Sequence, residues 1–166
     1  MHNQKSEQRR SGFTLVEVLV VVVILGILAA TVLPEFTSAG QDAKESAMVQ
    51  DLQMLRNQIE LYRFQHNSTY PAQGTTDETK FLDSLLLSSD ADGTTGPIGT
   101  KPFGPYFIRQ FPPNPFSGQN DVKMVNTDTL PAADDATGWI YSSKNGLIKV
   151  NSTALAADGV MKLEGL

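Results

Sequence analysis

A long apolar run near the N-terminus constrains this chain of 166 residues more than any other feature. Residues 13–33 read FTLVEVLVVVVILGILAATVL, and only two threonines and one glutamate interrupt the apolar side chains. At about 1.5 Å per residue, a helix of this length can cross a hydrocarbon core of about 30 Å. Residues 1–12 carry three basic side chains against one acidic side chain, and basic flanks stay on the cytoplasmic side of a membrane. We therefore predict a membrane helix over residues 13–34, with the chain after it exported.

Glu17 is the only charged side chain inside this run, and the run holds no partner for it. A charge at the centre of a membrane helix costs about 2.5–3.5 kcal/mol on insertion scales. No lysine, arginine or histidine lies between residues 13 and 33, so the partner must come from another chain or from a new charge. Cleavage between Gly12 and Phe13 would create an α-amine four residues before Glu17, close enough to interact along one helix. Between neighbouring helices that are staggered along their axes, the α-amine of one chain could pair with Glu17 of the next. This pair would then set the axial alignment of the apolar helices.

Two ordinary interpretations of the run compete with this one. A cleaved secretory signal has an apolar core of about 7–15 residues that ends at a small-residue site. Here the core is longer, and residues 29–31 are followed by Val32, Leu33 and Pro34 without a polar break. A plain membrane anchor explains the length and the flanks, but it gives Glu17 no role.

The residues around the proposed cleavage bond resemble a known processing signal. The sequence GFTLVE at residues 12–17, after a short basic leader and before the apolar run, resembles the class III prepilin signal of type IV pilins and type II secretion pseudopilins. The resemblance implies that a membrane aspartic peptidase, the prepilin peptidase, cuts after Gly12 and N-methylates Phe13. Counted from Phe13, Glu17 is the fifth residue, as in the family pattern, and Pro34 is the twenty-second, where such pilins commonly carry a proline.

Gly26 and Pro34 are the two weak helix formers of the apolar segment. They lower helix propensity by about 1 and about 3 kcal/mol, respectively. Between them they mark a stretch that could bend or melt when the subunit assembles. The alternative is that Pro34 simply marks the exit from the membrane.

After Pro34 the sequence becomes polar but keeps a helical spacing. Apolar residues recur at steps of four, three, four and three, which predicts one buried helix face: Met48, Leu52, Leu55, Ile59 and Tyr62. We predict a single helix from Phe13 to about Gln65, whose amphipathic half (residues 35–66) packs on the protein's own core. A separate coiled coil is the alternative, although the stripe lasts under three heptads. His66 extends the stripe, and a lone histidine at a helix end is usually a cap or a solvated residue.

Residues 67–166 predict a small head with variable loops. Residues 77–87 favour a short helix with Thr76 or Asp77 as its N-cap. Residues 104–108 favour a short strand that leads into a proline-rich loop.

A hairpin is the clearest β signal in the head. The β-rich runs at residues 138–141 and 147–150 flank Asn145-Gly146, a strong hairpin turn signal. The predicted fold class is therefore α+β: a long N-terminal α-helical stem with a small C-terminal antiparallel β-sheet head, as in pilins.

The composition excludes several kinds of function. Without cysteine, the chain cannot form a disulfide, a cysteine-ligated zinc site or a thiolate nucleophile. A pI near 4.9 argues against a general nucleic-acid binder, which needs a basic face. The sequence carries none of the common catalytic motifs, so we predict that the protein is not an enzyme and has no catalytic residue.

We predict no cofactor, with calcium as the one metal to consider. The resemblance to major pseudopilins implies a calcium loop near the C-terminus. The fragment DADG at residues 90–93 lacks the later acidic ligands of a calcium loop, and Asp134, Asp135 and Asp158 show no recognisable ligand spacing. Solvated acidic loops are the simpler interpretation.

The resemblance implies a structural subunit of a type II secretion pseudopilus. Such a subunit would be a single-pass inner-membrane protein with a periplasmic head, later assembled into a periplasmic filament that drives protein export. The implied partners are other copies of the chain, minor pseudopilins, the prepilin peptidase, and an inner-membrane assembly platform with its ATPase. Two alternatives stay open: a type IV pilus subunit for adhesion, motility or DNA uptake, and a membrane-anchored periplasmic enzyme or sensor.

Overall fold

The computed structural model describes residues 12–154, apart from the side chains of residues 31–39. The expectations for residues 1–11 of the leader and for Asp158 lie outside this described part. The chain divides into two compact units, Met1–Gly40 and Gln41–Leu166.

Helix α1 (Leu15–Gln65) has 51 residues and contributes to both units. It ends at Gln65 because Asn67 and Ser68 adopt left-handed backbone conformations, with φ of 53° and 63°. The Ser68 N–H then donates to the Arg63 carbonyl at 3.0 Å, which closes the last turn. The prediction of one helix that ends near Gln65 is confirmed.

The core of the second unit forms along one face of α1. The five apolar residues predicted from their spacing are all buried, with at most 3% of each side chain exposed. Aromatic and aliphatic residues from the rest of the unit complete this core: Phe81, Leu85, Phe107, Phe111, Val122, Trp139, Tyr141, Ile148 and Val150.

Helix α2 (Glu78–Leu86) follows the exit from α1. Its N-cap is Asp77, whose carboxylate accepts hydrogen bonds from the backbone N–H groups of Thr79 (3.0 Å) and Lys80 (3.3 Å). This cap satisfies two N–H groups that have no partner inside the helix. The short helix and Asp77, one of its two candidate caps, are confirmed.

Five short strands lie in the described part of the second unit. Strands β1 (Ser88–Ser89) and β2 (Thr95–Gly96) pair antiparallel, and a separate sheet has the order β3-β4-β5. The predicted hairpin is confirmed: β4 (Trp139–Ser142) and β5 (Ile148–Val150) pair antiparallel. However, β3 (Val122–Val125) pairs parallel with β4. The sheet is therefore mixed and not purely antiparallel, within a fold that is α+β as predicted.

The strand predicted at residues 104–108 is wrong. The backbone N–H groups of Tyr106 and Phe107 both donate to the carbonyl of Leu85, at 2.8 and 3.1 Å. These bonds tie the segment to the end of α2, so its donors are not free for a neighbouring strand. The isolated bridge nearest to this segment joins Ser89 to Phe103, the residue just before it.

Candidate processing and assembly segment

The predicted cleavage bond lies just before α1 begins. Gly12, Phe13 and Thr14 have no regular secondary structure, and the Phe13 side chain is 82% exposed. Thr14 caps the helix: its hydroxyl oxygen accepts from the Glu17 N–H at 3.2 Å, and its carbonyl accepts from Glu17 and Val18. The bond between Gly12 and Phe13 is thus outside the helix, and both of its residues are exposed.

Glu17 lies in the first turn of α1, three residues after its cap. A negative charge is favourable there because the helix dipole places partial positive charge at its N-terminal end. Thr14 and Glu17 have the spacing of a capping box, in which the glutamate can turn back towards the first residues. Among the residues that the structure describes, Glu17 forms no ion pair. The α-amine that cleavage before Phe13 would create lies at the same end of the helix as Glu17.

The first part of α1 is apolar on every side. Its large apolar side chains between Phe13 and Leu28 are each 49–84% exposed, and consecutive positions point in all directions around the helix. A helix that is apolar all round needs an apolar environment, either lipid or other helices.

Within the described part of the chain, no helix has a stretch both long enough and apolar enough to cross a membrane. The membrane crossing over residues 13–34 stays a prediction.

Helix α1 continues through both predicted bend positions. Gly26 is exposed, and a Cβ added there would have no neighbour within 4 Å. Pro34 lies within the bounds of α1, among the residues whose side chains the structure does not describe. A bend at Gly26 and Pro34 during assembly stays a prediction.

His66 combines a helix cap with a buried tertiary contact. Its ring is 1% exposed, so the expectation of a solvated residue is wrong, whereas its bond to a carbonyl in the last turn of α1 is that of a cap. Nδ1 donates to the Tyr62 carbonyl at 2.7 Å, and Nε2 accepts from the Ser89 hydroxyl at 2.8 Å. The ring also stacks on that of Tyr62, with centroids 3.7 Å apart. Burial lowers the pKa of His66, although the hydrogen bond to the Tyr62 carbonyl and the charge of Asp92 oppose this effect.

The acidic residues considered for calcium have other partners. The Asp92 carboxylate accepts from the Thr94 N–H at 2.8 Å, and the ion pair with Lys123 lowers the pKa of Asp134 to about 2. The Asp135 carboxylate accepts from Thr153. No group of three or more metal-ligating side chains is found among the described residues.

Comparison with known proteins identifies the N-terminal signal. A family described as "Prokaryotic N-terminal methylation motif" matches residues 8–33, which include the cleavage bond, Glu17 and the apolar start of α1. Together with the α+β fold, this match defines a pilin-like protein of the class that carries a prepilin signal. No solved structure gives a significant match to the chain.

Relatives along most of the chain define the family more narrowly. The type II secretion system core protein G of Klebsiella pneumoniae is 32% identical over 149 residues, covering 82% of this chain and 99% of the relative. The protein of that name from Vibrio cholerae serotype O1 is 43% identical over 130 residues, covering 74% and 75%. The one from Escherichia coli K12 is 30% identical over 154 residues, covering 84% and 98%. The chain belongs to the family of the type II secretion system core protein G.

Proposed function

We propose that this chain is a structural subunit of a type II secretion pseudopilus, which polymerises by helix bundling to drive protein export. The observation that carries the proposal is the first part of α1. There, an exposed helix that is apolar on every side directly follows an accessible processing bond inside a matched methylation motif. The similarity of the chain to core protein G along most of its length supports the same role.

Processing is the first step of the proposed mechanism. The prepilin peptidase cuts between Gly12 and Phe13 and methylates the new α-amine of Phe13. The exposed, non-helical backbone at this bond supports the step. Since the cut is on the cytoplasmic side, the apolar helix stays attached to the mature subunit. The subunit is then stored as a single-pass inner-membrane protein with its head in the periplasm.

Assembly exchanges lipid for other helices. Residues 13–34 form the assembly helix, and residues 35–66 connect it to the head (residues 67–166). Glu17 of one subunit pairs with the α-amine of Phe13 of a neighbour, and this pair sets the register of the bundle. The position of Glu17 in the first helical turn, without an ion pair in the described residues, supports this step. A bend at Gly26 and Pro34 would let the helix fit the bundle.

The remaining machinery is supplied by other proteins. An inner-membrane assembly platform and its ATPase add subunits to the filament, and minor pseudopilins belong to the same assembly. The filament extends through the periplasm and pushes folded cargo towards an outer-membrane channel. This chain is the subunit that polymerises, and no catalytic step is assigned to it.

A strain that lacks the gene tests the function. We expect normally exported proteins to accumulate in the periplasm and to return to the culture supernatant when the wild-type gene is supplied. The matched control is a gene that encodes Phe13→Ala with Glu17→Val, which alters only the processing and register positions. We expect this gene not to restore export. An unchanged set of exported proteins with loss of surface filaments or twitching would instead identify a type IV pilus subunit. No change in either would contradict both functions.

A further inference from the structure

The connection between β3 and β4 (residues 126–138) contains no helix or strand. These strands are parallel neighbours, and such a pair needs a crossover of about a dozen residues or more, usually with a helix in it. A loop in this place has no backbone ladder of its own, so its position depends on other hydrogen bonds. Several of these bonds fall on residues 134–137, which we call the acidic loop because it contains Asp134 and Asp135.

Groups from both sides of the three-stranded sheet bind the acidic loop. From β3, at one edge of the sheet, the Lys123 ammonium forms an ion pair with Asp134 Oδ2. Directly after β5, at the other edge, the Asn151 amide donates to Asp134 Oδ1 and accepts from the Asp134 backbone N–H, both at 2.8 Å. Asn151 is buried, and its amide nitrogen also donates to the Thr137 hydroxyl at 2.9 Å. One ammonium and one buried amide therefore join the loop to both edge strands.

Every carboxylate oxygen of the acidic loop accepts a hydrogen bond from this chain. Asp134 Oδ2 binds Lys123, and Asp134 Oδ1 accepts from the Ala136 N–H at 3.2 Å as well as from the amide. Asp135 Oδ1 accepts from the Thr153 N–H at 2.8 Å, and Asp135 Oδ2 accepts from the Thr153 hydroxyl. The bonds from Thr153 lower the pKa of Asp135, as Lys123 does most strongly for the pKa of Asp134. Both side chains thus stay ionised with donors that the chain itself supplies.

A calcium ion does not fit this set of donors. Calcium takes about six to eight oxygen ligands, and each must direct a lone pair at the ion. The oxygens of the acidic loop instead face N–H, O–H and ammonium groups. The Lys123 charge would also repel a second cation beside Asp134. The calcium loop that the resemblance to major pseudopilins implies is therefore not formed by Asp134 and Asp135.

We propose that Lys123 takes the place of a metal ion in the head: its ammonium holds the acidic loop, and the head folds and stays stable without calcium. The side chains of this ion pair are 36% and 41% exposed, so water and salt screen it less than they screen a fully exposed pair. This role is independent of the proposed function, since a filament subunit can be stabilised by a lysine or by a metal.

Urea unfolding with and without calcium tests the proposal on the full-length chain in detergent. Trp139 follows the acidic loop at the start of β4, and its fluorescence reports on unfolding of the head. We expect the wild type to have the same urea midpoint in excess EGTA and in excess calcium. A midpoint that calcium raises in the wild type, and that it no longer raises in Asp134→Asn, would overturn the proposal.

Substitution of the lysine gives a second readout in EGTA. Lys123→Met keeps an unbranched side chain and removes the charge, whereas Lys123→Arg keeps the charge. The matched control is Lys144→Met, which removes an ion pair with Asp128 whose side chains are 51% and 74% exposed. We expect a lower urea midpoint for Lys123→Met and midpoints near the wild type for the other two. Equal midpoints for Lys123→Met and Lys144→Met would overturn the proposal. If Lys123→Met does not fold, the calcium comparison on the wild type still decides.

Discussion

Replacing His66 with leucine is expected to destabilise the second unit by about 2–4 kcal/mol. The imidazole is buried at the end of α1 and joins that helix to β1 through Ser89. Leucine keeps the apolar contacts but provides no acceptor for the Ser89 hydroxyl. It also removes the ring that stacks on Tyr62.

The magnitude follows from the groups that lose a partner. The Tyr62 carbonyl keeps its helical hydrogen bond from the backbone N–H of residue 66, so its loss is small. A buried hydroxyl without its partner costs about 1–3 kcal/mol. A lost aromatic pair costs about 0.5–1.5 kcal/mol beyond its buried area.

The dependence on pH identifies the imidazole as the responsible group. Burial lowers the pKa of His66 in the folded protein, so the unfolded chain binds a proton more readily. The contribution of neutral His66 to stability is therefore complete above the ordinary pKa of about 6.5 and declines as the pH falls below it towards the lowered value. The only other histidine, His2, lies in the predicted leader, which the proposed processing removes.

Urea unfolding of the detergent-solubilised mature chain measures both effects. Trp139 is the only tryptophan and is fully buried, so its fluorescence reports on unfolding of the second unit. Measurements at about pH 7.5 and about pH 5.5 span the titration of the imidazole. We expect the wild type to lose more stability on acidification than His66→Leu does. A loss below about 1 kcal/mol at neutral pH, or the same pH dependence in both proteins, would refute the assigned role of His66.

Three further substitutions test other parts of the structure. Glu17→Val should leave membrane insertion intact or improve it and abolish incorporation into filaments; normal assembly by electron microscopy would remove the register role. Leu55→Ala should cost about 2–5 kcal/mol in urea unfolding, and Met54→Ala under about 1 kcal/mol, because only the first is fully buried. Equal losses would contradict the assigned core face. Asp77→Ala should cost about 1 kcal/mol through loss of the N-cap, whereas Asp83→Ala on the same helix should be nearly neutral.

Local patterns in the sequence were enough to predict the elements that depend on neighbours along the chain. The steps of four and three from Met48 to Tyr62 identified the buried face of α1, since helix geometry alone places these residues together. Asp77 was predicted as one of two candidate caps because its side chain can reach N–H groups only two and three residues on. Asn145-Gly146 predicted the hairpin because such a turn constrains both flanking strands.

Features that depend on distant partners were missed. Strand β3 pairs parallel with β4 across a long connection, and its four residues lack the alternation that marks a half-buried strand. The hydrogen bond between His66 and Ser89 joins residues 23 apart along the chain, so the spacing along α1 did not predict it. The strand predicted at residues 104–108 failed because its backbone donors bond to Leu85 at the end of α2.

Sequence patterns alone predict the candidate assembly segment. A cut after Gly12 and a register role for Glu17 are predicted from a charge inside an apolar run, and the methylation of Phe13 is predicted from the resemblance to prepilins.

The most direct test of a processed, self-assembling subunit is the intact mass of the chain in isolated filaments. Filaments are collected from cells that produce the complete secretion machinery and a functional prepilin peptidase. We predict a chain of residues 13–166 with one added methyl group, located on Phe13 by fragmentation of the N-terminal peptide. A chain that still begins at Met1, or filaments that do not contain this chain, would contradict its role as the filament subunit.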